Sequence, residues 1–211
     1  MAIALSSLLA CGILASILKV ATDWVAGRRW RGYDFVAQSI SHLSAIGSPT
    51  RSLVLPLDLL YDVLMVAFAV GIWSLAVEDL LMRISAVLIA GNVIISFFVI
   101  LFLPMQINQG GSPSASTPHV ALMATAMFFF LFAIGFGGAA SDDWFRCYSF
   151  GTLLAYILLA VARFLVPSPP STKAKVGAQE RTMVVGYLLW VVALAIYQAS
   201  LVTRLHIPTT P

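Results

Sequence analysis

The sequence predicts an all-α integral membrane protein, a bundle of six transmembrane helices with a short interfacial or re-entrant helix between the first two. The composition is 60% apolar and only 10% charged, and the mean hydropathy is +0.95, far above that of soluble domains. The apolar residues form several long runs. The 211 residues provide for about six spans of roughly 20 residues each, with little left for a soluble domain. We therefore expect one transmembrane domain over residues 1–211, surrounded by membrane lipid.

The predicted spans are apolar runs bounded by charged or turn-forming residues. In chain order they cover 3–26, 54–77, 82–104, 118–140, 147–166 and 183–204. The connections after the second and fourth spans are short and charged, which predicts antiparallel hairpins, whereas the other three are longer. Most of the lysines and arginines lie at the longer connections. The positive-inside rule then predicts that the long loops are cytoplasmic and both chain ends outside. The formal charge of +3 reflects this topology and does not indicate a nucleic-acid partner.

A polar stretch from Gly32 to Arg51 interrupts the apolar pattern. At about 100° per residue its apolar and polar side chains separate onto two sides, so we predict a short amphipathic helix over Tyr33–Ser44 in the membrane interface. Gly47 and the proline that follows end it. The polar side supplies candidate site residues: Ser41 and His42 as catalytic groups, and Gln38 and Ser39 as substrate-binding groups. The alternative is a surface helix whose polar side faces only water.

Ionisable residues inside or beside the spans are the second set of candidates, because a charge within a membrane is costly. They are Asp58 and Asp62, four apart on one face of the second span, His119 in the first turn of the fourth, and Glu180 and Arg181 just before the sixth. Alternating helix directions bring these positions to one mouth of the bundle. We expect His119 to lie there beside one of the acidic residues, beneath the polar stretch.

Each candidate has a predicted role. His119, Asp62 and Glu180 are expected to be catalytic, with His119 as a base or metal ligand, since a helix N-terminus favours its neutral form. Thr117 is predicted to cap that helix. Arg51 and Arg181 are expected to hold an anionic head group beside three helix N-termini.

Other polar residues have alternative or structural interpretations. Asp58 is predicted either to bind substrate or only to complement the helix dipole. Lys19 and Asp23 share a face of the first span and are interpreted as structural. Asn92, in the middle of the third span, is expected to form a hydrogen bond with a neighbouring helix.

Three functions fit this pattern. The first is a membrane-embedded, hydrolase-like enzyme acting on a lipid or isoprenoid, and we favour it. The second is a non-catalytic binder or transporter of a lipid or small solute, and the third is a structural accessory subunit. No HExxH, GxSxG, P-loop or CxxC motif is present. His42, His119 and Asp62 are candidates for a metal site, so a divalent cofactor such as zinc stays an open alternative.

The order of these motifs resembles a family of small membrane proteins described as domain of unknown function 998. The resemblance rests on SISHLSAIGSP at 39–49, Leu103-Pro104-Met105, His119, and Glu180-Arg181. It implies six helices with a polar cluster on one face, and it implies no settled activity. A looser likeness to the ceramidase and progestin-receptor superfamily of membrane hydrolases rests on Ser39 and His42, and it implies hydrolase chemistry only by analogy of fold.

Overall fold

The computed structural model describes residues 2–107, 113–165 and 176–206, and nearly all of this chain is helical. The helices are α1 (Ala2–Arg29), α2 (Ser41–Ser44), α3 (Arg51–Leu75), α4 (Leu80–Phe102), α5 (Thr117–Ala139), α6 (Asp143–Leu165) and α7 (Val176–His206). Two short strands, β1 (Gln106–Ile107) and β2 (Pro113–Ser114), pair antiparallel between α4 and α5.

Six of the described helices, all except α2, are long and apolar enough to cross a membrane. The predicted six-span architecture is confirmed, and the chain is a membrane protein. Many large apolar side chains on these helices point outward and stay exposed in the absence of lipid, as lipid-facing residues do. Examples are Leu14, Val63, Ile94 and Phe128.

The six spanning helices form a closed ring in chain order. Each packs against the next, α1 against α3 and so on to α7, and α7 closes the ring against α1. Small residues allow the close approaches. A Cβ on Gly12 of α1 would lie 2.7 Å from the Phe68 ring of α3, and one on Gly137 of α5 would lie 2.9 Å from Trp190 of α7. Phe68 and Trp190 are completely buried.

The start of the last helix differs from the prediction. The sixth span was predicted from residue 183, but α7 begins seven residues earlier, at Val176. Glu180 and Arg181 therefore lie within the helix. Their charges suggested a loop, yet Asp23 of α1 and the preceding polar stretch supply partners for both side chains and allow the helix to extend through them.

The interfacial helix is also shorter than predicted. Only Ser41–Ser44 is helical, and the residues from Tyr33 to Ile40 form turns. Asp34 Oδ1 accepts hydrogen bonds from the backbone N–H groups of Val36 (2.8 Å) and Ala37 (3.2 Å), in the manner of an Asx turn. The carbonyls of Phe35, Val36 and Gln38 accept hydrogen bonds from α7 instead of from a continuing helix.

Two further contacts fix this segment on the bundle. Ile46 bridges to Gln106 of β1, where the Ile46 N–H donates to the Met105 carbonyl at 2.8 Å. Gly47 adopts a φ of +90°, a left-handed conformation that favours glycine, and so turns the chain back toward α3. The segment 32–51 consequently lies across the ends of α1 and α4 and the starts of α3 and α7.

Candidate functional site

A cavity of about 350 Å³ opens inside the ring, between α1, α3, α4, α5 and α7. It lies beneath the segment 32–51, on the membrane face where α3, α5 and α7 begin. We call this the cavity face. The ionisable side chains that line the cavity are Lys19, Asp58, Asp62, His119 and Glu180. The predicted convergence of the second, fourth and sixth spans therefore occurs, although the catalytic or binding role of each residue stays a prediction.

The remaining wall of the cavity is largely apolar. Val99, Met123, Met127, Phe130 and Val184 contribute to it from α4, α5 and α7. Methionine side chains are flexible and polarisable, so they adapt to ligands of varied shape. A mainly apolar cavity with a few polar groups is the usual form of a small-molecule site.

Lys19 and Asp58 form an ion pair across two helices at the edge of the cavity. The Lys19 ammonium lies 2.6 Å from Asp58 Oδ1, and both side chains are largely buried. The same ammonium lies 5.5 Å from the centre of the Tyr61 ring. The sequence placed Lys19 beside Asp23 on α1, but the bundle instead pairs each residue with a charge on another helix.

Asp62 lies one helical turn beyond Asp58 and faces the same cavity. Its residue is only 6% exposed, and its carboxylate accepts no hydrogen bond from any residue that the structure describes. A buried carboxylate without a partner is costly. Asp62 is therefore the strongest indication of a ligand within the cavity.

His119 lies in the first turn of α5, where Ser116 caps the helix by accepting from the His119 N–H at 3.3 Å. The predicted cap, Thr117, is instead the first helical residue. The His119 Nδ1 lies 2.7 Å from the Leu103 carbonyl. Because a carbonyl only accepts, Nδ1 carries a hydrogen and Nε2 of the neutral ring keeps its lone pair. Nε2 has no hydrogen-bond partner within the described ranges, and no carboxylate there bonds to the ring.

Glu180 connects α7 to the segment above the cavity. Its Oε2 accepts from the Ile40 N–H at 2.9 Å, and its Oε1 accepts from the Ser41 hydroxyl at 3.4 Å. Ser41 also lines the cavity. Ser41 and Glu180, both predicted to be catalytic, are thus in contact with each other. Their contact helps to position the segment 32–51 over the cavity.

Arg181 is the centre of a buried polar cluster beside the cavity. Its guanidinium binds the Asp23 carboxylate through two hydrogen bonds of 2.9 and 2.8 Å. It also donates to the Tyr33 hydroxyl (2.6 Å) and to the carbonyls of Phe35 (2.7 Å) and Gln38 (2.9 Å). A further contact of 3.2 Å reaches the carbonyl of residue 177. These acceptors occupy the whole donor set of an arginine.

Tyr33 completes this cluster. Burial raises the pKa of its hydroxyl to about 12, so the group stays protonated at neutral pH. It accepts from Arg181 and donates to the Ser39 carbonyl at 2.8 Å. Neither Arg181 nor Arg51 lines the cavity, and Arg51 donates to the Ser44 carbonyl. Both arginines predicted to bind an anionic head group are therefore engaged with groups of the protein itself.

Ser39 and His42 form a pair of their own away from the cavity lining. The Ser39 Oγ lies 2.6 Å from His42 Nδ1, and the Ser39 N–H donates to the same nitrogen at 3.2 Å. Burial lowers the pKa of the His42 imidazole below its ordinary value, and the charge of Arg181 acts in the same direction. Gln38, a predicted substrate-binding group, uses its Oε1 to accept from the Asp34 N–H at 2.8 Å.

The metal candidates His42, His119 and Asp62 do not form a metal site in the structure. Within residues 2–107, 113–165 and 176–206, no three His, Cys, Asp or Glu side chains lie close enough to hold a metal ion together. His42 is occupied by Ser39, whereas His119 and Asp62 line the cavity separately.

Two tyrosines that the sequence analysis did not single out also line the cavity. Tyr187 is 5% exposed, and its hydroxyl is buried without a partner among the described residues. Tyr61 lies between Asp58 and Asp62 in the sequence. A tyrosine inside a span is ordinarily interpreted as a packing residue. Only the arrangement of α3 and α7 in the bundle shows that Tyr61 and Tyr187 line the cavity. Asn92 behaves as expected, since its amide nitrogen donates to the Ala126 carbonyl of α5 at 2.7 Å.

Comparison with known proteins supports the resemblance found in the sequence. The profile of the family described as protein of unknown function DUF998 matches residues 13–197. The chain belongs to this family. The match includes four of the spanning helices in full, most of α1 and α7, and every residue of the cavity discussed above. No curated protein and no solved structure shows a significant match to the chain.

Proposed function

We propose that this DUF998 protein binds a small amphiphilic molecule within the membrane and serves as a receptor or carrier for it. The observation that carries the proposal is the cavity itself, a mainly apolar space that contains the unpartnered Asp62 carboxylate. A carboxyl group in a mainly apolar space without a hydrogen-bond partner is costly, and a bound ligand that supplies the missing hydrogen bond would account for it. The cavity volume lies near the lower end of the roughly 300–1,000 Å³ that small-molecule sites occupy.

The local geometry supports binding ahead of hydrolysis. A hydrolase of the predicted kind needs a serine activated by a neighbouring base in the substrate site. The pair that meets this description, Ser39 and His42, does not line the cavity. Ser41 does line it, but its hydroxyl donates to Glu180, an acceptor that also holds the Ile40 backbone.

The test fills the cavity with a larger side chain. Ala126 lines the cavity on α5 and is 2% exposed, whereas Ala124 on the same helix faces outward. Wild type, Ala126→Phe and the matched control Ala124→Phe are purified in lipid nanodiscs. The Tm of each is then measured against octylamine, octanol and octanoate. Met127→Trp provides a second filled cavity in case Ala126→Phe does not fold.

We expect at least one probe to raise the Tm of wild type and of Ala124→Phe but not of the filled variants. At a concentration of about 100 times Kd, binding contributes about 2.7 kcal/mol to stability. Equal shifts in filled and control variants would assign the effect to the lipid phase and overturn the proposal. Mass spectrometry of molecules that copurify with wild type, and are lost from Ala126→Phe, would identify the natural ligand.

A membrane-embedded enzyme acting on a lipid or isoprenoid is the second candidate. It is favoured by His119, whose Nδ1 hydrogen is fixed by the Leu103 carbonyl and whose Nε2 is left as a base beside the cavity. The test incubates the nanodisc protein with the ligand identified above and follows its conversion. Turnover by wild type that His119→Gln abolishes, while ligand binding persists, would establish catalysis. Binding without turnover would leave the receptor or carrier function.

We also propose that the cavity face is cytoplasmic, because the basic residues described near the long connections lie there. They are Lys19, Arg28, Arg29, Arg31, Arg51 and Arg181. Ser112 and Ser171, which offer labelling sites in two of the long connections, lie outside the described residues. Single cysteines are therefore introduced as Pro49→Cys on the cavity face and Glu78→Cys on the other face, in a background that lacks the native cysteines. An impermeant maleimide added to intact cells should label only Glu78→Cys, and the reverse pattern would invert the orientation.

A further inference from the structure

We infer that the cavity selects a small primary amine with an apolar body, a specificity that rests on the proposed binding function. The charges lining the cavity point to a cation. Three carboxyl groups, from Asp58, Asp62 and Glu180, face a single described ammonium, Lys19. Lys19 is already paired with Asp58, and Glu180 is bound to Ile40 and Ser41. Asp62 is the carboxylate left for a ligand.

Three residues of the cavity wall, each about three helical turns from its helix end on the cavity face, carry polar groups without a described partner. At 1.5 Å per residue, Asp62 and Tyr187 lie about 16 Å from the starts of α3 and α7. Asn92 lies about 15 Å from the end of α4 on the same face. The Asn92 nitrogen donates to Ala126, so its Oδ1 is an acceptor with no described partner, and the Tyr187 hydroxyl is also unpartnered. A primary ammonium offers three N–H donors, which the Asp62 carboxylate and the Asn92 amide oxygen can accept between them.

Aromatic rings in the same wall strengthen the preference for a cation. Tyr61, Phe130 and Tyr187 line the cavity, and the rings of Phe130 and Tyr187 lie 5.1 Å apart. Aromatic faces attract ammonium groups, more strongly where water is excluded. Lys19 provides an internal example, since its ammonium is held by the Asp58 carboxylate and the face of Tyr61. Asp62 presents a second carboxyl group one turn further along, and no ammonium of the described residues forms a hydrogen bond with it.

The head group alone should set the order of affinity among probes with the same tail. Octylamine supplies charge and three donors, octyltrimethylammonium supplies charge without donors, and octanol supplies one donor without charge. Octanoate adds a fourth carboxylate to a cavity that already has an excess of them. We therefore expect affinity to fall in that order, with octanoate not bound.

The experiment measures apparent Kd from the dependence of Tm on probe concentration, at neutral pH in nanodiscs of zwitterionic lipid. Wild type should bind octylamine at least about tenfold more tightly than octanol, as expected for a charge-assisted hydrogen bond. Asp62→Asn should weaken octylamine by at least about tenfold and change octanol by less than about twofold. Asp142→Asn is the matched control, since it removes the same charge from a carboxylate that is 84% exposed on the opposite face. It should leave both affinities unchanged.

The outcomes separate this inference from the proposed function. Octanol or octanoate could bind as tightly as octylamine, and Ala126→Phe could abolish that binding. This result would overturn the amine specificity and leave the cavity as a binding site. Octylamine binding that Asp62→Asn does not weaken would also overturn the inference. If Ala126→Phe and Met127→Trp change the response to no probe, both the specificity and the binding function fail.

Discussion

Removing the Arg181 guanidinium should destabilise the protein more than removing any exposed arginine. Arg181 and Asp23 have side chains that are 15% and 16% exposed, and the two are joined by two short hydrogen bonds. Breaking a buried pair by deleting one partner costs about 3–5 kcal/mol, because the other charge is left without a partner. Arg181→Ala also leaves the carbonyls of Phe35 and Gln38 without their donor. We expect a loss of about 3–5 kcal/mol in the free energy of unfolding.

The matched control is Arg146→Ala on the opposite face. Arg146 lies 3.5 Å from Asp142, and these side chains are 50% and 84% exposed. Such a surface pair contributes about 0–1 kcal/mol. Arg181→Lys keeps the charge but loses the planar fork that binds the carboxylate, so its effect should be intermediate.

The assay is reversible unfolding of the purified protein in mixed micelles, followed by circular dichroism during titration with a denaturing detergent. Hydrogen exchange provides a local readout, because the Ile40 N–H bonds to Glu180 and the Ala178 N–H bonds to the Val36 carbonyl. Both amides should exchange faster in Arg181→Ala. The double variant with Asp23→Ala should cost less than the sum of the two single variants, since neither charge is then left alone. The reasoning would be refuted if Arg181→Ala lowered the free energy of unfolding no more than Arg146→Ala and left hydrogen exchange at the Ile40 amide unchanged.

Three further predictions follow from contacts of single residues. Tyr187→Phe removes a buried hydroxyl that has no described partner, so it should raise the free energy of unfolding by about 1 kcal/mol, and a comparable loss would indicate a missing partner. Gly177→Ala should lower Tm and accelerate exchange at Ile40, because its Cβ would press on the Gln38 carbonyl, whereas Gly151→Ala meets nothing within 4 Å and should be neutral or stabilising. Burial lowers the pKa of His42 in the folded protein. Below the ordinary histidine pKa of about 6.5, the unfolded chain therefore binds more protons at this residue than the folded protein does. Stability should therefore be complete above about that pH and fall as the pH falls through it, and His42→Gln should remove this part of the pH dependence of Tm.

The spanning helices were predictable because membrane thickness and backbone hydrogen bonding leave few alternatives to long apolar helices. The start of α7 was not, because hydropathy treats Glu180 and Arg181 as loop residues. Their charges are tolerated inside a helix only because Asp23 and the segment near Ile40 supply partners. No pattern within α7 contains that information, since the partners come from residues about 140 or more positions earlier.

The candidate site was predictable in position and not in detail. Helix direction alone brings Asp58, Asp62 and His119 to one face, and they do line one cavity. The pairing of charges depends on the rotation of each helix and on the angles at which helices cross. The periodicity of apolar residues in the sequence does not determine either. Lys19 consequently pairs with Asp58 of the adjacent helix α3 and not with Asp23 on its own helix. The Tyr187 hydroxyl could be recognised only after its neighbours were known.

The polar residues at this end of the bundle divide into two groups, and the division itself is an argument for a ligand. Around Arg181 the donors and acceptors are matched, with carbonyls, a carboxylate and a hydroxyl arranged around one guanidinium. Around Asp62 the donors and acceptors are unmatched, although both groups of residues lie at the same end of the same bundle. If these residues served only packing, apolar side chains at Asp62 and Tyr187 would be more stable, because burying a polar group without a partner costs more than replacing it. A binding site explains the difference, since its hydrogen bonds are completed only when a molecule with donors enters.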